Sequence, residues 1–101
     1  MGEVLLKVHE SYRTVVAVCD KELYGKRFVE GKKVLDLTGE FFNGDLTGKL
    51  EAKELIEDFS QEDASFNIVG KDSVEIFKEL RLVKDCGVLE VSGIPFALVL
   101  L

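Results

Sequence analysis

The sequence predicts an α+β protein, a two-layer α/β sandwich with a mixed sheet of about five to six strands and two main helices. Three observations carry this. Apolar residues alternate or run continuously at both chain ends, as in Val4-Leu5-Leu6-Lys7-Val8 and Phe96–Leu101. Two internal segments show helical spacing instead. The length of 101 residues, 47% of them apolar, suits one domain over 1–101 with a core of its own.

Along the chain, Glu3–His9 alternates Val4, Leu6 and Val8 against Leu5, Lys7 and His9, the period of a strand. Tyr12–Cys19 is β-branched and apolar, and Glu10-Ser11 joins the two as an antiparallel hairpin. The unbroken run Val15–Cys19 predicts a strand covered on both faces. Asp20 is placed to cap a helical turn over Lys21–Tyr24, with Gly25 ending it. Gly31 marks a turn and Lys33–Leu37 a short strand. Phe41 and Phe42, between glycine turns, are expected to pin their loop to the core.

Thr47 opens the clearest helix, Gly48–Ser60, where Ala52, Leu55, Ile56 and Phe59 form a buried stripe. Its carboxylates Glu51, Glu54, Glu57 and Asp58 read as a solvated outer face. Phe66–Val69 is a strand that Gly70 ends. Asp72 with Glu75 looks like a capping box for a second helix, Ser73–Leu80. Val88–Val91 is a strand, Ser92–Pro95 a turn, and Phe96–Leu101 a last strand. Helical crossovers should make the strands at 33–37, 66–69 and 88–91 parallel wherever they share a sheet. The uncharged terminal strand is expected to be buried in the core or against a partner, which raises homodimerisation through that edge.

Composition narrows the function classes. No apolar run reaches the roughly 18 residues of a membrane span. The start Met1-Gly2-Glu3-Val4 lacks a signal peptide's basic region, and Leu6 breaks the myristoylation pattern, so a soluble cytoplasmic protein is expected without a membrane partner. Cys19 and Cys86 lie far apart with no metal spacing and are expected as reduced thiols. Charged residues reach 32%, while Gln61 and Met1 are each alone of their kind, the composition of a heat-loving source. The net charge of −6 is uneven: residues 38–65 hold eight acidic side chains against two basic, whereas 1–37 hold six against seven. Such acidity argues against a nonspecific nucleic-acid coat.

No complete catalytic, metal or nucleotide motif is present, and no metal or cofactor is expected. His9 is the only histidine, so multi-histidine metal sites are excluded, and the hairpin puts it at the opposite end of the ladder from Cys19. Val69-Gly70-Lys71-Asp72-Ser73 joins a strand to a helix, but Ser65 replaces the first glycine of a phosphate loop and Asp72 would repel phosphate. The best candidate surface is the basic stretch Lys21, Lys26, Arg27, Lys32 and Lys33, interleaved with Tyr24 and Phe28, where phosphates and unpaired bases can be held. A small enzyme using Cys19 and Asp20 at a strand end is the remaining alternative.

Leu6-Lys7-Val8-His9, Val15–Asp20, Leu23 with Gly25-Lys26 and Phe28, Glu30-Gly31, Phe42 with Gly44, Asn67–Gly70, and Gly93-Ile94-Pro95 with Ala97 together resemble an archaeal family of uncharacterised proteins, domain-of-unknown-function family 424. The resemblance spans nearly the whole chain. It implies an archaeal source and, through that restriction, a non-enzymatic role with RNA or a translation-related assembly. It transfers no catalytic residues. The candidate binding residues it points to are Cys19, Asp20, Gly25 and Lys26, which join Tyr24, Arg27, Lys32 and Lys33 from the basic stretch.

Overall fold

The fold was determined as a computed structural model and is described for residues 3–100. A six-stranded mixed sheet carries two helices on one face, which is the α+β sandwich the sequence predicts. Strands β1 (Val4–Glu10) and β2 (Thr14–Asp20) form the expected antiparallel hairpin, with His9 opposite Val15 and Cys19 opposite Leu5. The turn is Ser11–Arg13, one step later than expected, because Glu10 still pairs with Thr14. Val16 to Asp20 are all buried, so β2 is covered on both faces.

The chain then leaves the sheet. A short 3-10 turn (Lys21–Leu23) leads into β3 (Arg27–Glu30) and β4 (Lys33–Asp36), a separate two-stranded hairpin. Here the expectation for Lys33–Leu37 is corrected: its neighbour is β3, two residues away, and local pairing wins over the main sheet. A second 3-10 turn (Glu40–Phe42) precedes β5 (Asp45–Thr47), which pairs antiparallel with β1. Gly44 allows this approach, since a Cβ there would overlap the Leu6 backbone.

Helix α1 (Lys49–Ser60) buries Ala52 and Ile56 as its spacing demands. Thr47 does not cap it. It belongs to β5, and its hydroxyl donates to the Asp45 carbonyl at 2.9 Å. Strand β6 (Ser65–Val69) runs parallel to β2, and α2 (Lys71–Glu79) follows. Strand β7 (Leu89–Val91) pairs only with β8 (Ile94–Val99), antiparallel, because a tight Ser92-Gly93 turn rather than a helix joins them. The sheet order is thus β5-β1-β2-β6-β8-β7, and β2–β6 is its one parallel pair.

Two apolar clusters sandwich the sheet. Under the helices lie Val4, Leu6, Val16, Val18, Phe66, Ile68 and Ala97 with Ile56, Ile76 and Phe77; Phe66 meets Phe77 edge-on at 5.1 Å. The opposite face is half covered by the excursion between β2 and β5, which packs Leu23, Phe28, Leu35, Leu37 and Phe42 on Cys19, Val69 and Phe96. Phe42 therefore pins its loop as expected. Phe41 does not: it stays 42% exposed and stacks on His9, centroids 4.5 Å apart. The terminal strand is also only half buried. Ala97 and Val99 face the helices, while Leu98 and Leu100 are 57% and 70% exposed on the other side; Leu101 lies outside the described residues.

Candidate functional site

Much of the basic stretch folds into the β3–β4 hairpin. Successive strand residues point to opposite sides, so Phe28 and Leu35 face the core while Arg27, Val29, Val34 and Asp36 face out. Arg27 lies 4.0 Å from Asp36 and Lys21 3.7 Å from Glu3. Lys26 and Lys32 sit at opposite ends of the hairpin, and Lys33 is in register with Glu30. Glu30 accepts the Ser92 N–H at 2.7 Å, strapping the hairpin to the β7–β8 turn. Tyr24 and Phe28 both belong to the second apolar cluster, and the Tyr24 hydroxyl donates to the Gly39 carbonyl. Gly25 closes the base of the hairpin, its N–H donating to the Leu37 carbonyl at 2.8 Å. The two aromatics are thus turned inward, while Arg27 stands on the outward side of the hairpin.

Cys19 and Asp20, neighbours on β2, point to opposite faces and cannot act on one substrate atom. The Cys19 thiol is fully buried 3.9 Å from the Phe42 carbonyl. Burial first, then the nearby carboxylates of Asp20 and Glu22, push its pKa up to about 12, which removes the thiolate a nucleophile requires.

Asp20 has a different partner from the one expected. The 3-10 turn beside it receives no side-chain cap. Its carboxylate instead crosses to the start of α2, accepting the Ser73 N–H at 2.8 Å, the Ser73 hydroxyl at 2.7 Å and the Asp72 N–H at 3.1 Å. The expected Asp72–Glu75 capping box does not form, because Asp72 already lies inside the helix and Gly70 is the cap residue. Gly70 takes φ +110°, and a Cβ there would overlap the Asp20 carboxyl. Burial pushes the Asp20 carboxyl up, opposed by the hydrogen bonds from Ser73 and Asp72 that favour its charged form. The strand–glycine–helix junction where a phosphate would dock is thus filled by the protein's own carboxylate.

Beside it opens a cleft of about 210 Å³ lined by Asp20, Glu22, Leu23, Gly70, Lys71, Asp72, Ile94 and Pro95. Oxygens of Asp20, Glu22 and Asp72 lie within 4.8 Å of one another. Three donors already occupy Asp20, out of roughly four lone-pair directions on a carboxylate. Its geometry serves the fold: it ties β2 to α2 across 53 residues.

Sequence reasoning missed this lock, whereas it did single out the uncharged terminal strand as an edge for a partner. Strand β8 runs past β7, whose first residue Leu89 pairs with Phe96, so nothing pairs with β8 beyond that point on this side. The Gly70 N–H donates to the Pro95 carbonyl, which turns Pro95, Ala97 and Val99 toward β6 and Leu98 toward the open side. Leu89, Leu98 and Leu100, all exposed, surround this edge. The stretch Val91–Leu100 holds no charged residue.

The chain is thus an α+β sandwich with a self-capped second helix and open stretches at its sheet edges. The chain belongs to the family described as "Protein of unknown function (DUF424)", whose sequence profile matches residues 8–101. No curated protein matches it. Its fold is shared with an uncharacterized conserved protein from Methanopyrus kandleri, at a TM-score of 0.86 and 23% identity over 97% of this chain and 92% of that one. No described helix is long and apolar enough to cross a membrane.

Proposed function

We propose that this protein is a non-enzymatic protein-interaction module that self-associates through β8. The observation behind this reading is the open, uncharged edge of β8 at Leu98, flanked by exposed Leu89 and Leu100. Natural edge strands are usually blunted by lysine, proline or a bulge. This one is not blunted past Phe96. A second copy is the fitting occupant, because an antiparallel β8–β8 pair about a two-fold axis is complementary to itself. A chain of net charge −6 repels its copies elsewhere, but the neutral stretch Val91–Leu100 brings no like charges together. Each exposed leucine covered in such a contact contributes about 1 kcal/mol.

Sedimentation velocity of the wild type and of Leu98→Lys tests this. A concentration-dependent dimer in the wild type, abolished by a lysine at an already exposed position, supports the reading. A monomer at every concentration refutes it. An archaeal, heat-loving source and a cytoplasmic location fit the Lys- and Glu-rich composition and the likeness to the Methanopyrus kandleri protein.

A further inference from the structure

The opposite edge of the sheet carries a second opening. Strand β5 pairs with Val4 to Leu6 of β1 and goes no further, so β1 continues from Lys7 to Glu10 without a neighbour on that side. The Lys21 N–H donates to the Glu3 carbonyl, which assigns alternate residues of β1 to β2 and turns Val8 and Glu10 toward the open side. Below this edge lies a groove of about 420 Å³, walled by Leu6 and Val8 of β1, Leu55 and Phe59 of α1, and closed at one end by Asn43, Gly44 and Asp45.

The unpaired charge around the groove is acidic. Asp45 lines it, and Glu51 and Asp58 lie one helical turn either side of Leu55 on α1, both exposed. The two bases of this region are turned away: Lys49 and Lys53 both pair with Glu79 of α2. Lys7 also lines the groove, but its ammonium is engaged on the far face of the sheet, donating to the Glu40 carbonyl at 3.0 Å. Among the described residues, Asp45, Glu51 and Asp58 have no ion-pair partner.

We propose that this groove binds an extended basic segment of a partner protein, which adds to β1 as a strand in line with β5 and sets an apolar side chain between Val8 and Leu55. The open backbone of Val8 and Glu10 supplies the ladder, the apolar walls take the alternate side chain, and the acidic rim selects lysine or arginine on either side. This extends the reading of the chain as a protein-binding module but uses the edge away from β8, so the two surfaces stand or fall separately.

The test uses a synthetic heptapeptide alternating lysine with valine and leucine, its glutamate counterpart, and the full-length protein followed by amide and methyl NMR. The lysine peptide should shift the Val8 and Glu10 amides and the Leu55 methyls, and its binding should weaken with added salt. Its affinity should fall about tenfold or more in Asp45→Lys/Asp58→Lys, each an exposed position. The glutamate peptide should leave these signals unmoved, and Leu98→Lys should bind the lysine peptide as the wild type does. Shifts confined to the solvent face of α1 with Val8 unmoved would overturn the proposal, as would equal binding of both peptides or no binding of either.

Discussion

Replacing Gly70 by alanine probes the lock between β2 and α2, and its cost divides into two parts. The backbone at φ +110° and ψ 156° lies in a region essentially reserved for glycine, which costs an alanine about 1–3 kcal/mol. The new Cβ also meets Cγ, Oδ1 and Oδ2 of Asp20, so the carboxylate is expelled from the helix start. Losing that cap, and leaving the Ser73 donors buried, costs about 2–3 kcal/mol. Gly70→Ala should therefore destabilise by about 3–6 kcal/mol. Asp20→Ala removes the cap alone and should cost about 2–3 kcal/mol. It also removes all three atoms that the alanine at 70 would strike. In the double variant the cap is lost once, not twice, so the two costs should fall short of additive by about 2–3 kcal/mol. Urea unfolding of the four proteins, monitored by circular dichroism, measures the cycle. Additivity within about 0.5 kcal/mol would refute the assignment of Asp20 and Gly70 to one locked junction.

Other consequences follow from the same structure. In the native protein one thiol, the exposed Cys86, should react with an alkylating reagent at neutral pH, and buried Cys19 only after unfolding; rapid modification of both would contradict its burial. Because the Cys19 thiol is held from its ordinary 9.0 up to about 12, the unfolded chain releases that proton first, so stability should fall as pH rises from 9 toward 12. Cys19→Ala should lack that increment in parallel unfolding curves, and an identical alkaline slope would count against it. Glu30→Ala, which leaves the Ser92 N–H without its strap, should cost about 0.5–1.5 kcal/mol and speed amide exchange in β3 and β4.

What the sequence made legible was what is local and periodic. Val4, Leu6 and Val8 declare β1 by alternation, and Ala52, Leu55, Ile56 and Phe59 declare α1 by their spacing. Strands β3 and β5 escape notice because they are short and polar, and only their partners make them strands. The role of Asp20 depends on β2 and β6 lying side by side, which brings it to a helix that begins 51 residues later. A signal was present even so. Gly70 ends a strand and starts a helix with no capping side chain of its own, and a buried acid on a neighbouring strand can supply one. The arrangement of the basic run is hidden for a related reason. In a hairpin, successive strand residues alternate between faces, and Arg27 meets Asp36 across the ladder, so adjacency in sequence does not by itself put bases on one face. The terminal strand reads as wholly buried because every residue in it is apolar, yet only the Ala97 and Val99 face has helices to pack against.

The most direct test of the proposed self-association is amide hydrogen exchange at Leu98 as a function of protein concentration. Pairing of β8 with a second copy turns this N–H from open to hydrogen-bonded, so its exchange should slow as concentration rises while the amides of β2 stay unchanged. Fast exchange at Leu98 at every concentration would contradict the account.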